Sequence, residues 1–284
     1  MNRIARNFSG NVTFRKGKSF TMKKEYLNFA KEIAYHAGEI MMKYYKADNG
    51  ANYKYDQTIV TLADKEINDY LIERVKAVYP AHSVDGEEAG FGESNYVWVC
   101  DPVDGTAMYA RHIPTSVFSL ALVIDGVSEI GVVYDVQGDQ MYTAIRGEGA
   151  FVNGEPIRVN DIALDDMRSL GNFDMWPAAE YNLFDVFKEL GKRTYAVGLG
   201  SVIRASMCVA RGDFNFVLFP GTVHKNCDIA AAKVIVEEAG GKVTNLFGGE
   251  ERYDREINGA VLSNGKIHDE LLSIIAKHVR PLTK

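Results

Sequence analysis

The run Asp101-Pro102-Val103-Asp104-Gly105-Thr106 places two carboxylates, a turn and a hydroxyl within one short segment. The apolar stretch before it, residues 96–100 (YVWVC), reads as a buried strand. The segment therefore lies at the carboxyl end of that strand. Pro102 has no N–H and a fixed φ, so the hydrogen-bond ladder is expected to stop there and the chain to bend. Asp101 and Asp104 can then face one point from two sides of the turn, with the Val103 carbonyl between them. Hard oxygen donors converging in this way suit Mg²⁺, which keeps several waters and binds substrate phosphate as well. Asp, Pro and Gly are also ordinary turn residues, so the run alone leaves a plain turn open.

Three more acidic segments bear on the choice. Asp85-Gly86-Glu87-Glu88 follows the Tyr79-Pro80 helix stop. Asp64 stands at the start of a helix, directly after the strand-like run 58–62 (TIVTL). Asp228 opens a helix in Asn226-Cys227-Asp228-Ile229-Ala230-Ala231-Ala232. Taken singly, Asp64 and Asp228 read as helix caps, and Glu87 and Glu88 as solvated loop charges. Their combination is more particular, because Asp228 is followed by an alanine run and then by Glu237-Glu238-Ala239-Gly240-Gly241.

These residues resemble the two signatures of the inositol monophosphatase family, Mg²⁺-dependent, lithium-sensitive phosphatases of the wider sugar-phosphatase superfamily. The first signature, Trp-x-x-Asp-Pro-x-Asp-Gly-Thr, is similar to Trp98 through Thr106. The second, Trp-Asp-x-Ala-Ala followed by Glu-Ala-Gly-Gly, is similar to Cys227 through Ala231 and Glu238 through Gly241. Gly131-Val132-Val133-Tyr134-Asp135 and Gly147 through Gly154 are also typical, and the likeness runs from about Tyr26 to the end of the chain. It implies that Glu87, Asp101 and the Val103 carbonyl hold a first metal, and that Asp101, Asp104 and Asp228 hold a second. Asp64 would help to hold a third, weaker ion and would hydrogen-bond the Thr106 hydroxyl. Asp64, Thr106 and Glu87 would then be the catalytic set, with Thr106 and Asp64 helping to orient and deprotonate the attacking water. Substrate contacts would come from Asp104, Gly105, Thr106, Asp228 and the small-residue turn at Gly200 and Ser201.

The chemistry stands without the family. Hydrolysis of a phosphate monoester is extremely slow unaided and needs large charge stabilisation. Two bound cations can activate a water and stabilise the leaving oxygen of an in-line displacement. A helix beginning after Asp104 would turn backbone N–H groups toward the phosphate.

Departures from the family pattern matter equally. Cys227 stands where the family usually has Trp. The segment FNFVLFPG, residues 214–221, lacks the Glu that usually grips an inositol hydroxyl, which places inositol monophosphate itself in doubt. His224 and Lys225 can be read as meeting a second phosphate or, more simply, as solvated surface charge.

Other signals are weak. Three cysteines, Cys100, Cys208 and Cys227, lack zinc spacing; Cys100 and Cys208 read as core thiols, and a cytoplasmic protein is the simplest inference. His36, His82, His112, His268 and His278 are scattered, with no catalytic Ser or Cys partner evident. Gly198-Leu199-Gly200-Ser201 is not followed by Lys-Ser/Thr and is no P-loop. The net charge of −6 argues against general nucleic-acid binding. No apolar run is long enough to cross a bilayer. The expected partners are a small phosphorylated metabolite and, from the resemblance, a second copy of the chain.

The elements that must position these groups follow from periodicity and turn residues. Residues 1–24 contain no acid and several bases, and read as a disordered basic tail, with a targeting segment as the alternative. Leu27, Ala30, Ile33, Ala34, Ala37, Ile40, Met41 and Tyr44 mark one amphipathic helix, and Ile67, Tyr70, Leu71 and Val75 a second. Strands are predicted at 96–100, 117–124, 129–135, 140–145 and 150–152, joined by turns at Gly126, Gly138 and Gly147 as an antiparallel sheet. Beyond residue 160, strands at 193–197, 216–219, 242–244 and 260–263 alternate with helices at 201–211, 228–239 and 266–278. The fold expected is α+β, a layered α/β sandwich of the sugar-phosphatase type. Its lobes would be an N-terminal antiparallel-sheet lobe, 25–160, carrying most metal ligands, and a C-terminal α/β lobe, 161–284, completing the site.

Rivals are weighed on spacing. A haloacid-dehalogenase-type phosphatase would have one residue between its aspartates, whereas Pro102 and Val103 intervene here, favouring activated water over a covalent step. A calcium loop would need ligands at alternate positions and a distal Glu. A catalytically weak member acting as a metal- or phosphometabolite-binding regulator is opposed by the intact set of acidic residues. The reading is a Mg²⁺-dependent phosphomonoesterase with two or three ions per site. It acts on a polyol, sugar or metabolite phosphate; the alternatives are fructose 1,6-bisphosphate, histidinol phosphate and 3′-phosphoadenosine 5′-phosphate.

Overall fold

The computed structural model describes residues 16–47, 50–53, 59–175, 179–221 and 225–280. Helix α1 (Lys16–Tyr45) leads to the short strands β1 (Asn52–Tyr53) and β2 (Ile59–Val60), then to α2 (Leu62–Val78). There follow β3 (Ser83–Gly86), β4 (Gly90–Phe91), β5 (Tyr96–Asp104), the single turn α3 (Thr106–Tyr109), β6 (Val117–Ile124), β7 (Val127–Asp135), β8 (Gln140–Ile145), β9 (Ala150–Val152) and β10 (Glu155–Pro156). The rest comprises β11 (Leu170–Phe173), α4 (Phe184–Leu190), β12 (Tyr195–Val197), α5 (Val202–Ala210), β13 (Phe216–Phe219), α6 (Cys227–Glu238), β14 (Lys242–Thr244), β15 (Ala260–Ser263) and α7 (His268–His278).

Two sheets organise these elements. The larger has the order β10-β9-β8-β7-β6-β5-β3-β4, antiparallel except where β3 runs parallel to β5. The smaller has the order β12-β11-β13-β15-β14 and mixes parallel with antiparallel pairs.

Side-chain alternation shows how the layers stack. Along β5, Trp98 and Cys100 enter the core beneath α1 and α2, while Val97 and Val99 enter the core shared with α5 and α6. Along β13, Val217 and Phe219 join that same shared core, while Phe216 and Leu218 face α4 and α7. The order is helices, sheet, helices, sheet, helices. Strands covered on both faces need apolar residues at nearly every position, and residues 96–100 of β5 and all of β13 are continuous apolar runs. The middle helix α6 is buried from Cys227 to Val236, as its alanine-rich sequence, apolar there except for Asp228 and Lys233, requires. It approaches β7 so closely that a Cβ on Gly131 would lie 2.7 Å from the Ala231 carbonyl oxygen. Each fully buried Leu, Ile or Phe in these layers contributes about 1.5–3 kcal/mol.

The structure departs from expectation in several places. The basic segment expected as a tail to residue 24 is helical from Lys16, and Lys23 pairs with Glu129 at 2.6 Å; residues 1–15 lie outside the described residues. Strands β3, β4 and β11 and helix α4 were not anticipated, because each is too short to show a period. Pro102 does not end β5. The ladder to β6 shifts by one residue between Asp101, opposite Ser119, and Asp104, opposite Val117, and then resumes as a β-bulge. Among the described residues, no helix is long and apolar enough to cross a membrane.

Candidate active site

The bulge in β5 explains the convergence of Asp101 and Asp104. Residues three apart on a regular strand face opposite sides, and one extra residue restores them to the same side. Asp228, in the first turn of α6, meets them from below. All three are buried, and one carboxylate oxygen from each lies within 4.8 Å of the others. Asp101 also accepts the Val103 N–H at 3.0 Å, which tightens the bulge. Burial, with the charges of Glu87, Asp104 and Asp228, drives the Asp101 carboxyl well above its usual range. Burial and Asp228 push Asp104 up to about 7, even though hydrogen bonds from Ser201 and Ile203 pull it down.

A second acidic group lies beside the first: Asp64, Glu87 and Glu88 offer oxygens within 4.8 Å of one another. Asp64 occupies the third position of α2 rather than its cap. Its Oδ2 accepts the Thr61 N–H at 2.7 Å and the Thr61 hydroxyl at 2.5 Å. Its Oδ1 is buried with no hydrogen-bond partner. Burial, then Glu87, raises its carboxyl to about 7. Glu87 is brought in by the parallel β3–β5 ladder, which continues as the Glu87 N–H bonds the Cys100 carbonyl at 3.1 Å. Glu88 joins this cluster although the sequence reading assigned it no role.

Two expected relationships differ. Thr106 does not bond Asp64; its hydroxyl donates to the Val103 carbonyl at 2.8 Å. Lys225 is not a solvated charge. Its Nζ lies 2.6 Å from Glu87 Oε1, with its side chain 18% exposed. Burial alone would lower the pKa of this ammonium, but Asp228 and Glu87 outweigh burial and hold it well above its ordinary value. His224 lies outside the described residues.

The turn before α5 closes the site. Gly105 has φ +81 and opens α3, and a Cβ there would lie 3.0 Å from both the Gly200 carbonyl oxygen and the Ser201 Cβ. Gly200 donates its N–H to Asp174 Oδ1 at 2.9 Å, and Leu199 donates to Asn172 at 3.1 Å. Ser201 gives its hydroxyl to Asp104 and accepts the Arg204 N–H at 3.2 Å as the cap of α5. Asn172 and Asp174 were missed by sequence reasoning, since no local signal ties them to a turn that follows them by more than two dozen residues.

The donor set is oxygen-only, acidic and largely buried, and it includes an orphaned buried oxygen on Asp64. These are the attributes of a site for a hard divalent cation. A profile of the inositol monophosphatase family matches residues 22–280, nearly the whole chain. The chain belongs to the inositol monophosphatase family. It is 29% identical over 257 residues to the "Fructose-1,6-bisphosphatase/inositol-1-monophosphatase" of Thermotoga maritima, covering 90% of this chain and 98% of the relative. It is 32% identical over 271 residues to the "Putative Nus factor SuhB" of Neisseria meningitidis serogroup B, covering 89% and 99%. The solved structure of a Thermotoga maritima IMPase superposes with a TM-score of 0.79 at 28% identity, covering 89% of this chain and 97% of that one. Inositol monophosphatases are metal-dependent phosphatases, and the two acidic clusters here are able to bind metal. The layered α+β fold is theirs as well.

Proposed function

We propose that this chain is a Mg²⁺-dependent phosphomonoesterase acting on a small polyol, sugar or related metabolite phosphate. The observation that carries this reading is the junction of the two carboxylate clusters with the glycine turn opening α3. Asp101, Asp104 and Asp228, with Asp64 and Glu87, would hold the metal ions. Bound there, the ions polarise water and neutralise phosphate charge.

The chain's own groups supply the rest. The first N–H groups of α3 have no acceptor within the helix and are suited to phosphate oxygens. Thr106 has committed its only proton to Val103, so toward a water its hydroxyl oxygen can only accept. Asp64 Oδ1, buried and without a partner, would accept the proton the water gives up when no weaker third ion occupies it.

The leaving alcohol is recognised differently from inositol monophosphate. All of β13 is buried in the core, and no acid reaches the site from 216–219. The Thermotoga relative's name supports a sugar bisphosphate as one alternative. A second reading, a regulatory protein with weak turnover, is favoured by the Lys225 ammonium on Glu87 and by the name of the Neisseria relative.

The deciding experiment is phosphate release from a panel of small phosphomonoesters, each with Mg²⁺ and with EDTA. Release that requires Mg²⁺ is expected, and silence across the panel from folded protein would leave the regulatory reading.

A further inference from the structure

Lys225 is the cation that this chain itself places among its metal-binding carboxylates. The next residue, Asn226, is fixed in place, its side-chain amide donating to Asp85 Oδ2 at 2.7 Å and to the Tyr253 carbonyl at 2.9 Å. Glu87 is held by its ladder bond to Cys100. The Nζ–Oε1 contact of 2.6 Å joins residues 138 positions apart in a part-buried setting, unlike a surface pair between free side chains. Asp101 and Asp228 also act on this ammonium. Beside it, Asp64 Oδ1 remains buried and unpartnered, so the cluster holds a carboxyl oxygen that the ammonium does not satisfy.

We propose that Lys225 is a built-in counter-cation that competes with the first metal ion for Glu87. In the metal-free protein it balances part of the carboxylate charge and keeps the clusters together. A divalent ion taking Glu87 and Asp101 must displace the ammonium or share the carboxylates with it, and like charges within about 4 Å of each other repel strongly in a buried site. The first metal position is thereby weakened relative to the same carboxylates without the lysine. This inference rests on the metal-dependent reading and adds to it a residue that sets occupancy.

The test is a Mn²⁺ titration of metal-stripped protein without substrate, read by the free-ion electron paramagnetic resonance signal. It is made on the wild type, Lys225→Met, Lys225→Gln, Glu87→Gln and the double variant Lys225→Met with Glu87→Gln. Removing the ammonium is expected to tighten one site about tenfold or more. Measured against Glu87→Gln alone, the double variant should show no such gain, because the lysine acts through Glu87. Circular dichroism checks each fold, and the glutamine variant serves if the methionine one is unstable. Equal or weaker Mn²⁺ binding by both single Lys225 variants would overturn the role of Lys225 while leaving the metal site intact. No Mn²⁺ binding by any of the proteins would overturn the metal-dependent reading itself.

Discussion

Ser201 donates its hydroxyl to Oδ2 of Asp104, 97 positions earlier in the chain, and the Ile203 N–H reaches the same oxygen at 2.8 Å. The start of α5 thus orients a carboxylate at the end of β5. Ser201 also caps α5 through the Arg204 N–H. Ser201→Ala removes both contacts. A lost cap and a lost hydrogen bond to a carboxylate should together cost about 1–3 kcal/mol. With Asp104 Oδ2 left to the Ile203 N–H alone, kcat/KM should fall about tenfold, the lower end of the effect of losing a residue that orients a metal ligand. Urea unfolding and steady-state kinetics with Mg²⁺ measure the two effects. A variant unchanged in both would leave Ser201 with no positioning role.

Asp104→Asn separates stability from function. In the metal-free protein the buried carboxylates of Asp101, Asp104 and Asp228 repel one another. Asn keeps the volume and an acceptor for Ser201 and Ile203 but carries no charge. In EDTA the variant should therefore melt at or above the wild-type temperature. Its Mg²⁺-dependent phosphate release should fall by about 100-fold or more. Wild-type turnover in the variant would remove Asp104 from the ligand set.

The acidic residues of the site were legible because their signals are local. Asp101, Val103, Asp104 and Thr106 share one turn, and Asp228 opens a helix whose alanine run announces burial. The main strands of the large sheet were legible through their apolar runs and glycine turns. What escaped depends on distance along the chain. Nothing near Lys225 points to Glu87, so a lysine beside an unlike charge read as solvated. The bulge at Pro102 needs the register of β6 to be seen. Ser263 and His268 are five residues apart, yet their pairing needs the loop between β15 and α7 to fold back. Short strands such as β4 and β11 hold too few residues for any periodicity.

Gly105→Ala tests the turn between Asp104 and Thr106. At φ +81 an alanine is strained by about 1–2 kcal/mol. Its methyl would also press on the Gly200 carbonyl and on Ser201, each 3.0 Å away. The expected variant is folded but less stable by about 2 kcal/mol. Its α3 is displaced and its phosphate release depressed more in kcat than in KM. Thermal melting and initial-rate kinetics check this, and full activity would mean that the turn does not position Thr106.

His268 makes stability depend on pH away from the active site. It is fully buried, with Nδ1 2.8 Å from the Ser263 hydroxyl and Nε2 2.9 Å from that of Thr244. This Ser–His pair has no access to substrate and is a core contact. Burial, reinforced by Lys242 and Lys233 and offset in part by Asp269 and Glu250, lowers the imidazole from 6.5 to about 4. Below pH 6.5 the unfolded chain takes up a proton that the folded protein refuses until about pH 4. The stability contributed by neutral His268 is therefore complete above pH 6.5 and is lost as pH falls through that window. Allowing for partial screening, the loss should be about 2 kcal/mol. His268→Gln, which cannot titrate, should be less stable than wild type at pH 7.5, with a gap that narrows toward pH 4. Comparing urea midpoints of the two proteins across that range cancels the titration of the acidic clusters common to both. A constant gap would mean that the folded protein accepts the proton as readily as the unfolded chain.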